Sequence, residues 1–168
     1  MIRIPRSRII QAAPASIALL VGIILYLLDR QTDSVYFMAH WMVLGENSRP
    51  VFGAIGNHLP TFIHVYAFIL LTAIFVTQSR AYALPICIFW FIIDSLFEIA
   101  QVSTIAQWIA RHVPNWFDVI PFLDNASDYF RAGTFDILDI LSIAAGTLAA
   151  YLTIITSTQR TDNNVPHI

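Results

Sequence analysis

Asp94, Glu98 and Gln101 are spaced i, i+4, i+7 in one apolar stretch, and Asp136, Asp139 and Gly146 are spaced i, i+3, i+10 in another. Each spacing puts its residues on one stripe of a helix. Carboxylates grouped in this way are the residue types for acid and base chemistry, for proton coupling, or for recognition of a cationic ligand. Their surroundings make them expensive. An acid at the centre of a membrane-crossing helix costs about 2.5–3.5 kcal/mol on insertion scales, so four of them in a short chain point to a site.

The chain has 168 residues, of which 57% are hydrophobic, 13% aromatic and only 12% charged. Soluble domains carry about a quarter charged residues, so this composition is that of a membrane protein and gives no basic face for nucleic acid. The length allows four or five spans with short loops, hence a single domain over 1–168. The lone Cys87, within an apolar run, excludes an internal disulfide and a thiolate zinc site and reads as a small core residue.

Spans need about 20 mostly apolar residues, and four segments qualify: 9–28, 59–77, 82–101 and 135–156. The expected fold is all-α, a small bundle of about four transmembrane helices. The first span follows Arg3, Arg6 and Arg8, but its apolar run is long and Tyr26 to Thr32 offers no small-residue cleavage site, so it reads as an anchor rather than a signal peptide. Val35 to Leu44 is too short to span. Thr104 to Leu123 mixes Trp108, Trp116, Phe117 and Phe122 with Arg111, His112 and Asp118 and is broken by Pro114 and Pro121. Both stretches suit interfacial helices in the outer loops. The polar tail from Thr156 onward is expected to be disordered.

The nine arginines set the orientation, since the chain has no lysine. Arg3, Arg6 and Arg8 precede the first span, Arg80 lies in the tight turn between the second and third, and Arg160 follows the fourth. By the positive-inside rule these ends are cytoplasmic, as are both termini. The second span then runs inward, the third outward and the fourth inward. That brings His64, Glu98, Gln101, Asp136 and Asp139 to one outer layer. His64, Thr61, Phe68 and Thr72 read as one face of the second span, and Gly146 as a point of close helix approach.

The charges in this layer do not balance. Glu98, Asp136, Asp139 and the deeper Asp94 meet only Arg131, just before the fourth span, and His64. Carboxylates crowded into a low-dielectric cleft either share protons or hold a cation or cationic ligand group. Structural roles compete with this reading. Asp94 can serve as a hydrogen-bonded strut to Thr72 or Ser142. Glu98 and Gln101 can simply emerge into water, and an acid at the start of the fourth span is favoured by the helix dipole, with Thr134 as cap. His40, His58 and His112 fall in outer or interfacial segments, and no HExxH or comparable metal-ligand spacing occurs.

Taken in order, His64-Val-Tyr66-Ala-Phe68, Glu98-Ile-Ala-Gln101, and Arg131 leading to Asp136-Ile-Leu-Asp139 and Gly146 resemble the VanZ-like membrane proteins. The resemblance covers roughly 59–151, the last three spans. It departs from that pattern in having Pro60-Thr61 where the family often has an Asp-Lys pair, Ser142 or Ile143 where it has an Asn, and a longer outer connection. The resemblance implies a multi-pass protein of the bacterial cytoplasmic membrane with an envelope role, the founding member being linked to teicoplanin resistance. It implies no reaction and no cofactor.

Three functions are therefore expected in decreasing order. The first is recognition of a lipid head group or lipid-linked cell-wall precursor by the outward-facing cleft. Gln101, Arg131 and Asp136 would bind, and Asp94, Tyr66 and Gly146 would support them. The second is an intramembrane enzyme on a lipid-linked substrate, with His64, Glu98 and Asp139 as catalytic candidates; no Gly-x-Ser-x-Gly is present, and neither Ser95 nor Ser142 has an evident base. The third is proton-coupled transport, against which the absence of an inverted repeat counts.

Overall fold

A computed structural model describes residues 6–29, 52–76, 79–120 and 123–162. The stretch expected at the interface, Val35 to Leu44, lies outside the described residues, as does His40. The described chain is helical with no strand among the described residues. Its helices are α1 (Arg6–Asp29), α2 (Gly53–Val76), α3 (Ala83–Ile99), α4 (Ser103–His112), α5 (Ala126–Ala132) and α6 (Ile137–Asp162), with 3-10 turns at Arg80–Tyr82 and Asn115–Val119. Helices α1, α2, α3 and α6 supply four segments long and apolar enough to cross a membrane, the architecture of a small multi-pass bundle.

Two helix limits differ from the sequence reading by six residues. Gly53 opens α2 six residues before Leu59, the expected start of the second span. Gly53 takes a φ of +54°, a left-handed conformation that glycine adopts without steric penalty, and contacts of the first turns with α6 outweigh their weak helix propensity. At the other end of the chain α6 continues to Asp162, through residues expected to be disordered. Two hydroxyls of this last stretch are satisfied within the helix, as Thr156 donates to the Leu152 carbonyl and Thr158 to that of Ile154.

Helices α2 and α6 form the centre, and α1 and α3 pack against both. The core joins Val65, Ile69, Leu70 and Ala73 of α2 to Ile143, Ala150 and Ile154 of α6, with Ala15 from α1 and Ile86 and Cys87 from α3. Gly146 permits the closest approach. A Cβ there would lie 2.7 Å from the Phe62 carbonyl oxygen and 2.5 Å from Val65 Cγ1. The antiparallel order brings the start of α2, the end of α3 and the start of α6 to one end of the bundle.

At the opposite end α1 is pinned to α6 by a polar contact. Gln11 Nε2 donates to Ser157 Oγ at 2.9 Å, both residues being buried, and Ser157 donates on to the Ile154 carbonyl. Gln11 Oε1 has no partner among the described residues. Ser157→Ala, which strands the Gln11 amide, is therefore expected to lower stability by about 1–3 kcal/mol in detergent thermal unfolding. Adding Gln11→Leu is expected to recover most of that loss, since removing both partners is nearly neutral.

Between α3 and α6 the chain makes an excursion outside the bundle. Helix α4 buries Ala106 and Ala110 and exposes Ile105 and Trp108. It packs on α5, where Ser127 Oγ donates to the Ala110 carbonyl at 3.2 Å. Helix α4 and the 3-10 turn at Asn115–Val119 fall in the segment that reads as interfacial, and α5 follows it.

Candidate functional site

Helix α6 starts where three acids meet. Asp136 is the residue before it, and its Oδ1 accepts the Leu138 N–H at 2.8 Å, so Asp136 rather than Thr134 caps the helix. The Asp136 N–H in turn donates to Glu98 Oε1 on α3 at 2.7 Å. A buried glutamate thus satisfies a backbone donor at the positive end of a neighbouring helix, a favourable place for a carboxylate. Gln101 Nε2 donates to the second Glu98 oxygen at 3.3 Å. The Gly133 backbone lies against the Gln101 amide, where a Cβ would sit 2.6 Å from Oε1.

Asp139, one turn into α6, faces α2. Its Oδ1 accepts from Thr61 Oγ1 at 3.1 Å and from His58 Nδ1 at 3.1 Å. His58 Nε2 lies 3.9 Å from Asp136 Oδ2, so the imidazole stands between two carboxylates. Helix α2 provides His58 and Thr61 from one face because they are spaced i, i+3. Six side chains from three helices therefore make one network: His58, Thr61, Glu98, Gln101, Asp136 and Asp139. It is anchored within the protein at Glu98 and partly open at Asp136, whose side chain is 42% exposed.

His64 stands elsewhere, facing α3 rather than α6. Its Nδ1 is 3.3 Å from Asp94 Oδ2, and its ring packs on Phe68 and, edge on, Trp90. Trp90 is held by its Nε1 donating to Thr72 Oγ1 at 2.9 Å. Positions 64, 68 and 72 form the i, i+4, i+8 stripe of α2 that looks toward α3. Thr61 does not share that stripe. The pair His64 and Asp94 is a second, separate group, and Asp94 is braced by His64 rather than by Thr72 or Ser142.

Two further residues stand apart from the network. Arg131 lies on the exposed side of α5, with Asp128 one turn before it at 3.9 Å, because i, i+3 pairing within α5 offers a nearer carboxylate than those of α6. Tyr66, two residues beyond His64 and so about 200° around α2, shares a hydrogen bond with Thr153 of α6 at 3.3 Å and stacks on Phe62. Gly146 keeps its expected role at the α2–α6 contact.

His58 is the functional candidate that sequence reasoning placed outside the site. The available signal was its i, i+3 relation to Thr61, hidden by starting the second span at Leu59. His112 stacks on Trp108 and bonds to that residue's carbonyl, away from the acids. Among the described residues no three His, Cys, Asp or Glu side chains are grouped to hold a metal ion. Ser95 Oγ is buried without a partner among the described residues.

The network can do two things chemically. Among the described residues it holds more carboxylates than cations, with His58 the single basic side chain bonded into it, so it favours a cationic partner at Asp136. It also fixes each acid by at least one hydrogen bond, so that the surface it presents is preorganised. Comparison with protein-family models, with curated proteins and with solved structures finds no match to this chain.

Proposed function

We propose that the chain is an envelope membrane protein of the VanZ-like kind whose acidic network recognises the amine-bearing head group of a lipid or a lipid-linked cell-wall precursor. The observation that carries this reading is the half-open Asp136 carboxylate beside Asp139 and Glu98, with Arg131 turned away to Asp128. An ammonium group supplies both the missing charge and the hydrogen-bond donors that carboxylate oxygens accept. The placement of Arg6, Arg8, Arg80 and Arg160 at the opposite end of the bundle supports an outward-facing network, with both termini in the cytoplasm of a bacterial cell. The motif resemblance supports the envelope role and, through its founding member, a link to glycopeptide resistance.

Native mass spectrometry of the full chain from mixed vesicles tests the reading. The protein is expected to retain phosphatidylethanolamine over phosphatidylglycerol by about tenfold, the ratio that one charge-assisted hydrogen bond provides. Asp139→Asn, which keeps the Thr61 contact and removes the charge, is expected to lose that preference. Equal retention of the two lipids by the unaltered protein would refute it.

A further inference from the structure

We propose that His64 and Asp94 form a second site, open sideways between α2 and α3, that takes the hydroxyl group of an amphiphile. Asp94 is buried, with its side chain 8% exposed, while the His64 side chain is 51% exposed. With Asp94 ionised and the ring neutral, Nδ1 of His64 is the donor in the 3.3 Å contact to Asp94. In the neutral ring Nε2 is then an acceptor directed away from Asp94. Both residues lie in segments that cross the membrane. An acceptor left unmet at the edge of the hydrocarbon is costly, and polar side chains within spans mark binding sites or pathways. A donor from the ligand meets it.

The ring is also held in place rather than free to leave the membrane interior. Phe68 packs 4.3 Å from it between ring centres, Trp90 lies 5.0 Å from Phe68, and Thr72 fixes Trp90. This aromatic wall suits the first carbons of an apolar chain. The depth agrees as well, and here the inference rests on the head-group reading above. Asp94 lies one turn below Glu98, about 6 Å along α3. The polar layer of one leaflet is roughly 5–7 Å thick. An amphiphile that carries a free hydroxyl at the glycerol level thus presents it at the depth of His64, one turn below the acidic network. The site binds and orients; its residues include no nucleophile bonded to His64.

The test uses the full chain in phosphatidylcholine nanodiscs and two probes, 1,2-dioleoylglycerol and its O-methyl ether, which differ only in the donor. Native mass spectrometry is expected to show the free alcohol bound about tenfold more than the ether. His64→Phe keeps the aromatic packing and is expected to bind the two alike. Asp139→Asn is expected to keep the alcohol preference while losing that for phosphatidylethanolamine, so failure of the head-group reading and failure of this one are separable. Equal binding of alcohol and ether by the unaltered protein, or a preference that survives His64→Phe, overturns the proposal.

Discussion

Gly146→Leu is expected to prevent recovery of a folded monodisperse protein, and Gly146→Ala to lower its stability by about 1–3 kcal/mol. The reason is that one of the two nearest obstacles is backbone. A Cβ at position 146 meets the Phe62 carbonyl oxygen at 2.7 Å and Val65 Cγ1 at 2.5 Å, and a carbonyl inside a helix does not swing aside as a side chain does. The added methyl therefore pushes α2 and α6 apart, and with them the contacts of Val65, Ile143 and Ala150. Leucine adds three more carbons to a contact with no room for one. Size-exclusion profiles and thermal unfolding in detergent measure both variants. A Gly146→Leu protein that elutes and melts like the parent would show that the two helices are not in this register.

The second large effect concerns Glu98. Glu98→Leu is expected to cost about 2–4 kcal/mol, because it strands the Asp136 N–H and removes a carboxylate from the start of α6. Glu98→Gln retains an oxygen acceptor of the same reach. It is expected to stay within about 1 kcal/mol of the parent in stability. Having lost the charge, it is expected to bind phosphatidylethanolamine about tenfold less well. The pair of variants separates the structural duty of this residue from its charge. Thermal unfolding reads the first and native mass spectrometry the second. If Gln destabilised as much as Leu, the negative charge itself would be holding α6, and if Leu were harmless the link between α3 and α6 would be absent.

Much of the bundle was legible in the chain because a membrane span is a coarse signal. Twenty apolar residues between polar flanks mark α1, α2, α3 and α6 without any knowledge of packing. The meeting of Glu98, Gln101, Asp136 and Asp139 was legible for a related reason, since alternating direction puts the end of one helix beside the start of another. Azimuth was not legible. His58 and His64 are both α2 histidines, but six residues turn the helix through about 600°, leaving one facing α6 and the other α3. Which neighbour lies on which side depends on packing that hydropathy does not encode. The contact of Arg131 with Asp128 was not legible because it is decided by α5, a helix of seven residues too short to stand out from its surroundings.

The bond from Asp136 to Glu98 joins residues 38 positions apart in the chain. Everything between them, including the α4–α5 hairpin, leaves and returns through a neck one hydrogen bond wide. Such a segment is topologically a side branch: lengthening or shortening it changes little in the closure entropy, which grows only slowly with length. The excursion can therefore diverge or acquire insertions while the spans keep their register. The acids themselves form the collar that makes the branch separable.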